Sequence, residues 1–125
     1  MKRKGSTSDF TEDRNKELRE KFFSQKAYST TDTALMKTLK TPTTRFWVEP
    51  DRARDVLSSI RKNPAVLEKM YPERQRMYKA LLSRYEEIKR RHPCKSMVEC
   101  VSMAIYAGAP EFFLTPSAAR NILYN

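Results

Sequence analysis

Two glycines and one histidine are all that the 125 residues contain, and that scarcity removes the usual starting points for catalysis. A loop that cradles phosphates with its backbone needs several glycines within a few positions. His92 has no nucleophile placed to pair with it, and no two carboxylates stand together in an apolar setting. The chain therefore reads as a protein that is not an enzyme, with no cofactor and no small-molecule substrate. Cysteine is equally sparse. Cys94, Cys100 and His92 offer three zinc candidates where a structural site takes four, so no metal is expected. On a helix Cys100 reads as a small apolar core residue, and a disulfide is disfavoured in a reducing compartment. No apolar run approaches the roughly 20 residues of a membrane span. The opening MKRKGSTSD is basic but lacks the apolar segment of a signal peptide, which points to a cytoplasmic protein.

Positive charge, by contrast, is abundant. Lys and Arg number 25 against 15 Asp and Glu, giving a formal net charge of +10, with 32% of residues charged. A small basic chain suggests a polyanionic partner, most often nucleic acid, less often an anionic membrane or an acidic protein. The plain alternative is charge that only keeps the protein dissolved. A membrane partner is not expected, because no helix combines a wide apolar face with a lysine-rich one.

The chain is organised around RFWVEPDRARDVL, residues 45–57, which recurs as EFFLTPSAARNIL, residues 111–123. Phe46 matches Phe112, Trp47 matches Phe113, Val48 matches Leu114 and Pro50 matches Pro116. Further on, Ala53 matches Ala119, Arg54 matches Arg120, Val56 matches Ile122 and Leu57 matches Leu123. One unit has been written twice.

Residues 1–8 are polar and basic without apolar periodicity and read as a disordered tail. A helix is expected from Asp9 or Thr11 to about Lys26, with Leu18, Phe22 and Phe23 as its stripe. A second runs from Thr31 to Lys40 and buries Ala34, Leu35, Met36 and Leu39. TPTTRFWV breaks the period as an aromatic turn that plugs Phe46 or Trp47 into the core. Pro50 restarts a helix at its first position, with Ala53, Val56, Leu57 and Ile60 inside. Asn63 and Pro64 open a short bridge. Pro72 opens the longest helix, ending near Arg91, with Met77, Leu81, Tyr85 and Ile88 inside. Ser96 and Glu99 form a capping-box pattern ahead of VSMAIYA. GAPEFFL is the second aromatic turn, and Thr115 and Pro116 open the last helix. In the second half about four extra residues are needed to keep register. The expected fold is all-α: a first trihelical unit over residues 9–62, a helical bridge over 63–71 and a second trihelical unit over 72–125. Internal duplication relates the units, as a tandem array or about a pseudo-twofold axis.

A unit of three helices is the layout of a helix-turn-helix domain, whose third helix enters the major groove. The turn here is seven or eight residues instead of three or four, so the likeness is loose. The first matching helix, with the turn before it, offers Arg45, Arg52, Arg54, Ser59, Arg61 and Lys62 to phosphates or guanine edges. The second offers Ser117, Arg120, Asn121 and Tyr124. Lys89, Arg90, Arg91, His92 and Lys95 form the densest basic cluster, suited either to a nucleic-acid backbone or to the negative end of a helix dipole. Arg54 and Arg120 also suit ion pairs with the first helix of their own unit. Phe46, Trp47, Phe112 and Phe113 could stack on bases, but their position between helices favours core plugs.

TPTTRFWVEPDRARDVL and YAGAPEFFLTPSAARNIL resemble the PAPRFYLTP-type pattern of small proteins from gut bacteria and their prophages or other mobile elements. The resemblance covers most of the chain after about residue 14. It implies no particular activity; the mobile-element setting favours DNA, or RNA within a ribonucleoprotein, as partner. The expectation is thus a non-enzymatic nucleic-acid-binding protein, DNA favoured and RNA open. The rival is a protein-interaction or structural subunit of a phage or ribonucleoprotein assembly, or a homo-oligomer.

Overall fold

A computed structural model describes the backbone of residues 5–124 and the side chains of residues 10–124. The regular elements are helical: α1 (Gly5–Lys26), α2 (Thr31–Leu39), α3 (Pro50–Lys62), α4 (Ala65–Glu68), α5 (Pro72–Arg91), α6 (Met97–Tyr106) and α7 (Pro116–Tyr124). None is long and apolar enough to cross a membrane among the described residues. Helix α1 begins at Gly5, inside the stretch expected to be a disordered tail, and the first four residues of that tail lie outside the described ones.

Local chemistry sets most of the helix starts. Pro50 and Pro72 each occupy a first-turn position, where the missing N–H has no intrahelical partner to lose. Thr30 caps α2 by accepting from the Thr33 N–H at 3.3 Å. Ser96 caps α6 in a complete capping box: its hydroxyl accepts from the Glu99 N–H at 3.2 Å, and its own N–H donates to the Glu99 carboxylate at 3.0 Å. The Thr115 hydroxyl accepts the Ala118 N–H at 3.0 Å at the start of α7.

Some faces differ from expectation. Thr38, not Met36, completes the buried face of α2, and Met36 stays half exposed. Tyr78 replaces Met77 on the inner face of α5, and Phe23 of α1 points to solvent beside buried Phe22. In each pair the two candidates lie one or two residues apart on the helix wheel, and the neighbouring helix decides which one is covered. Helix α3 buries Ala53, Val56, Leu57 and Ile60 as expected.

The larger departure concerns which helices share a core. Two compact units emerge: one contains the chain through Thr43 together with the segment from Pro110 onward, the other runs from Thr44 to Ala109. The first packs α1, α2 and α7; the second packs α5 on α6 and α3 on α6, with α4 bridging α3 and α5. The units therefore differ from the expected stretches 9–62 and 72–125: α3 packs with α6, and α7 packs with α1 and α2.

Similar contacts hold the segment before α3 and the segment before α7. In the first unit the Phe112 N–H donates to the Leu39 carbonyl at 3.2 Å; in the second, Phe46 N–H donates to the Ile105 carbonyl at 3.0 Å. Lys21 of α1 donates to the Pro42 carbonyl and lies 5.9 Å from the centroid of the Phe112 ring. Arg84 of α5 donates to the Gly108 carbonyl at 2.6 Å and lies 5.8 Å from the Phe46 centroid. Both phenylalanines are buried, as are Ala53 and Ala119 one helix later. A backbone tie and a cation over the ring thus recur at Phe46 and Phe112, and a buried alanine at Ala53 and Ala119, positions that the two similar segments pair. The turns themselves are not identical. Gly108 has φ +98°, open to glycine, where the first half has Pro42, and Phe113 takes φ +58°, a costly angle for a bulky residue.

Candidate nucleic-acid interface

The expected binding residues fall into three kinds once their partners are known. Arg45 belongs to the scaffold. Its guanidinium donates to the Phe46 carbonyl at 2.9 Å and the Val48 carbonyl at 2.7 Å, and reaches the Tyr106 hydroxyl at 3.3 Å. It also lies 4.7 Å from the Tyr106 ring centroid and 5.7 Å from that of Trp47. Such a guanidinium clamps the aromatic turn. Lys89 is similarly engaged: its ammonium donates to the Pro93 carbonyl at 3.2 Å and to the Lys95 carbonyl, closing the loop after α5.

The second kind is paired on the surface. Arg54 bonds Asp55 at 3.1 Å and approaches Asp51 at 4.0 Å, both on its own helix. Arg120 approaches Asp32 of α2 at 3.6 Å, and Arg91 approaches Glu87 at 3.8 Å. Neither Arg54 nor Arg120 has its ion pair on the first helix of its half, as the sequence reading allowed. Exposed pairs of this kind are worth little, so they leave these arginines open to exchange partners. Ser117, Arg120 and Asn121 are exposed on α7 in the first unit, whereas all the other candidates belong to the second.

The third kind gathers in two open clefts of the second unit. In one, of about 500 Å³, Arg61, Lys89 and Arg90 face Tyr85 and Glu86. Arg61 sits 5.8 Å from the Tyr85 ring centroid and 3.4 Å from its hydroxyl, so α3 and α5 present their cations together. Lys62, Arg90 and Lys95 are exposed near these helix ends. The other cleft, of about 520 Å³, is bounded by α3, α4 and the start of α5. Arg52 and Ser59 of α3 meet Lys69 and Arg74 there, over Val56, Val66 and Met70, with Tyr71 at the rim. Its one carboxylate, Asp55, is the group that Arg54 already holds.

Arg52 and Arg74 converge on a buried phenol. Burial pushes the Tyr78 hydroxyl above its ordinary pKa, while the nearby positive charges of Arg74 and Arg52, and a hydrogen bond with Arg74, pull it back. Lys69, Tyr71 and Arg74 were not among the residues that the sequence singled out. Lys69 and Tyr71 fall in the expected bridge and Arg74 in the first turn of the expected longest helix, and the only signal there is an aromatic residue set between cations.

Cys94 is exposed and Cys100 is buried on α6 as a small apolar group, both with free thiols. No group of three or more His, Cys, Asp or Glu side chains suited to a metal occurs among the described residues. No protein-family model matches the chain, and neither curated proteins nor solved structures give a significant match.

Proposed function

We propose that the protein binds nucleic acid, DNA in preference to RNA, without catalysing a reaction. The observation that supports this reading most directly is the pair of cation-lined clefts on the second unit. Arg52, Lys69 and Arg74 line one, and Arg61 and Arg90 the other beside the loop-bound Lys89, each against a single acidic side chain. Guanidinium and ammonium groups held on rigid helices suit phosphate oxygens, and a net charge of +10 steers a polyanion towards them.

The two halves of the chain are, in this reading, copies of one helical unit whose third helices have been exchanged. The paired positions Phe46 and Phe112, Lys21 and Arg84, and Leu39 and Ile105 favour it. A helix-turn-helix of consecutive helices fits less well, because α3 packs on α6 and α7 on α1 and α2.

Anisotropy titrations of a labelled random duplex, a single strand and a hairpin RNA at two salt concentrations test the proposal. Neutralising three phosphates of a duplex gives a slope of about −2.7 in log affinity against log salt. Flat titrations with all three would remove it. The second reading, a protein-interaction subunit, draws on the exposed Phe23 and Tyr124 of the first unit, which flank buried Phe22 in edge-on contact. A defined oligomer or heterocomplex without strand affinity would favour it instead.

A further inference from the structure

We infer that the cleft bounded by α3, α4 and the start of α5 holds unpaired nucleotides of a single strand, with a base stacked on Tyr71 and phosphates held by Arg52, Lys69 and Arg74. The inference rests on the nucleic-acid reading above and narrows it to one site and one strand form.

Tyr71 is the point of departure. Its side chain is 81% exposed, although it lies between two helices in a well-tied segment. The Tyr71 carbonyl accepts the Gln75 N–H at 2.9 Å, and the Gln75 side-chain amide donates to the Leu67 carbonyl at 2.7 Å, so α4 and α5 are fastened around it. Pro72 fixes the backbone that follows. An aromatic ring on a stiff backbone and open to water suits a stacking platform, because little freedom is lost when a flat partner covers it.

The rest of the cleft supplies what a nucleotide needs besides a ring. Val56, Val66 and Met70 form an apolar floor, and Ser59 adds a hydroxyl at the edge. Arg52 and Lys69 have no ion-pair partner among the described residues. Arg74 lies 5.8 Å from the Tyr78 ring centroid, so its guanidinium is steadied by the buried phenol beneath it. About 520 Å³ falls within the usual range of about 300–1,000 Å³ for small-ligand sites, and the cleft is open, so a strand can run through it. A duplex cannot use the ring in this way, because its bases are already paired and stacked. Phe46, Trp47 and Phe112, the aromatics that the repeat makes prominent, are buried and unavailable for the same purpose.

The test compares the full chain with Tyr71→Ala and Tyr71→Phe. Anisotropy is read with labelled single-stranded DNA and unstructured RNA of about 12 nucleotides, within the usual range of single-strand sites, and with a duplex. Circular dichroism checks that each variant keeps its helices. Tyr71→Ala should weaken single-strand binding roughly tenfold while duplex affinity stays within about twofold, and Tyr71→Phe should retain both. The DNA and RNA arms then identify which sugar the cleft takes. Single-strand binding by Tyr71→Ala equal to that of the parent, or an equal loss on duplex and single strand, overturns the site and leaves the broader reading standing. Failure of the parent to bind any strand overturns both.

Discussion

Replacing Phe112 with alanine should loosen α1 and α2, helices that lie more than 70 residues upstream, and leave α5 and α6 protected. Phe112 is 2% exposed, and truncating a buried phenylalanine typically costs about 3–5 kcal/mol. Loss of the ring beneath Lys21 adds about 0.5–1 kcal/mol. The backbone bond from Phe112 to Leu39 survives the substitution, so the lower part of this range is the safer expectation. A loss of about 3 kcal/mol raises the opening equilibrium of the first unit by roughly 150-fold, a large share of the 5–15 kcal/mol that holds most domains. Amide hydrogen exchange followed by mass spectrometry resolves the effect. Peptides from residues 10–26 and 31–39 should exchange at least about 100-fold faster, while those from 72–91 and 97–106 should change little. Phe46→Ala should strike 72–91 and 97–106 directly. If Phe112→Ala instead exposed α5 and α6 while α1 and α2 stayed protected, the packing of α7 with α1 and α2 would be refuted in favour of consecutive units.

Other perturbations probe single features. Arg45→Ala should lower stability by about 2–3 kcal/mol in urea melts followed through buried Trp47, with duplex affinity changed less than about twofold, since its guanidinium serves the aromatic turn. Thr38→Val should raise stability by about 1 kcal/mol in thermal melts, because the Thr38 hydroxyl is buried without a hydrogen-bond partner among the described residues. Hydrogen bonds from the Ser96 backbone and side chain hold the Glu99 carboxyl below its ordinary pKa. A depressed folded pKa contributes stability above the unfolded pKa, and the contribution disappears as pH falls through the folded one. The melting-temperature gap between the parent and Glu99→Gln should therefore be widest near neutrality and close in acid; a gap independent of pH would contradict this.

How much of this could be read beforehand depended on the range of the interactions. Pro50, Pro72, the Ser96–Glu99 box and Thr115 act within one helical turn, and each helix starts where those residues place it. The inner face of α3 was equally legible, because Ala53, Val56, Leu57 and Ile60 leave one apolar stripe. Periodicity failed where two apolar candidates lay close on the wheel, as with Met77 and Tyr78, since only the neighbouring helix selects between them. Which helix pair α3 and α7 join was hidden for a different reason. Residues 45–57 and 111–123 carry similar apolar patterns, so that pattern is satisfied by either assignment, and the contacts of Phe46 and Phe112 decide. In the clefts, Arg52 and Arg61 were visible as cations on a helix, but Tyr71 lies in a connector with no motif, and its neighbours come from three elements.

The order of the chain makes one unit a guest within the other. The second unit is an unbroken stretch of 66 residues from Thr44 to Ala109, whereas the first is interrupted by all of it. The Phe46–Ile105 hydrogen bond lies close to both ends of the guest, so folding of the guest draws its two exits together. The host is thereby spared the entropy of closing a loop of that length, on the order of 4 kcal/mol from the logarithmic dependence on loop size. A ribosome delivering this chain would release every residue of the guest before α7, so α1 and α2 wait for their third helix until the guest is complete.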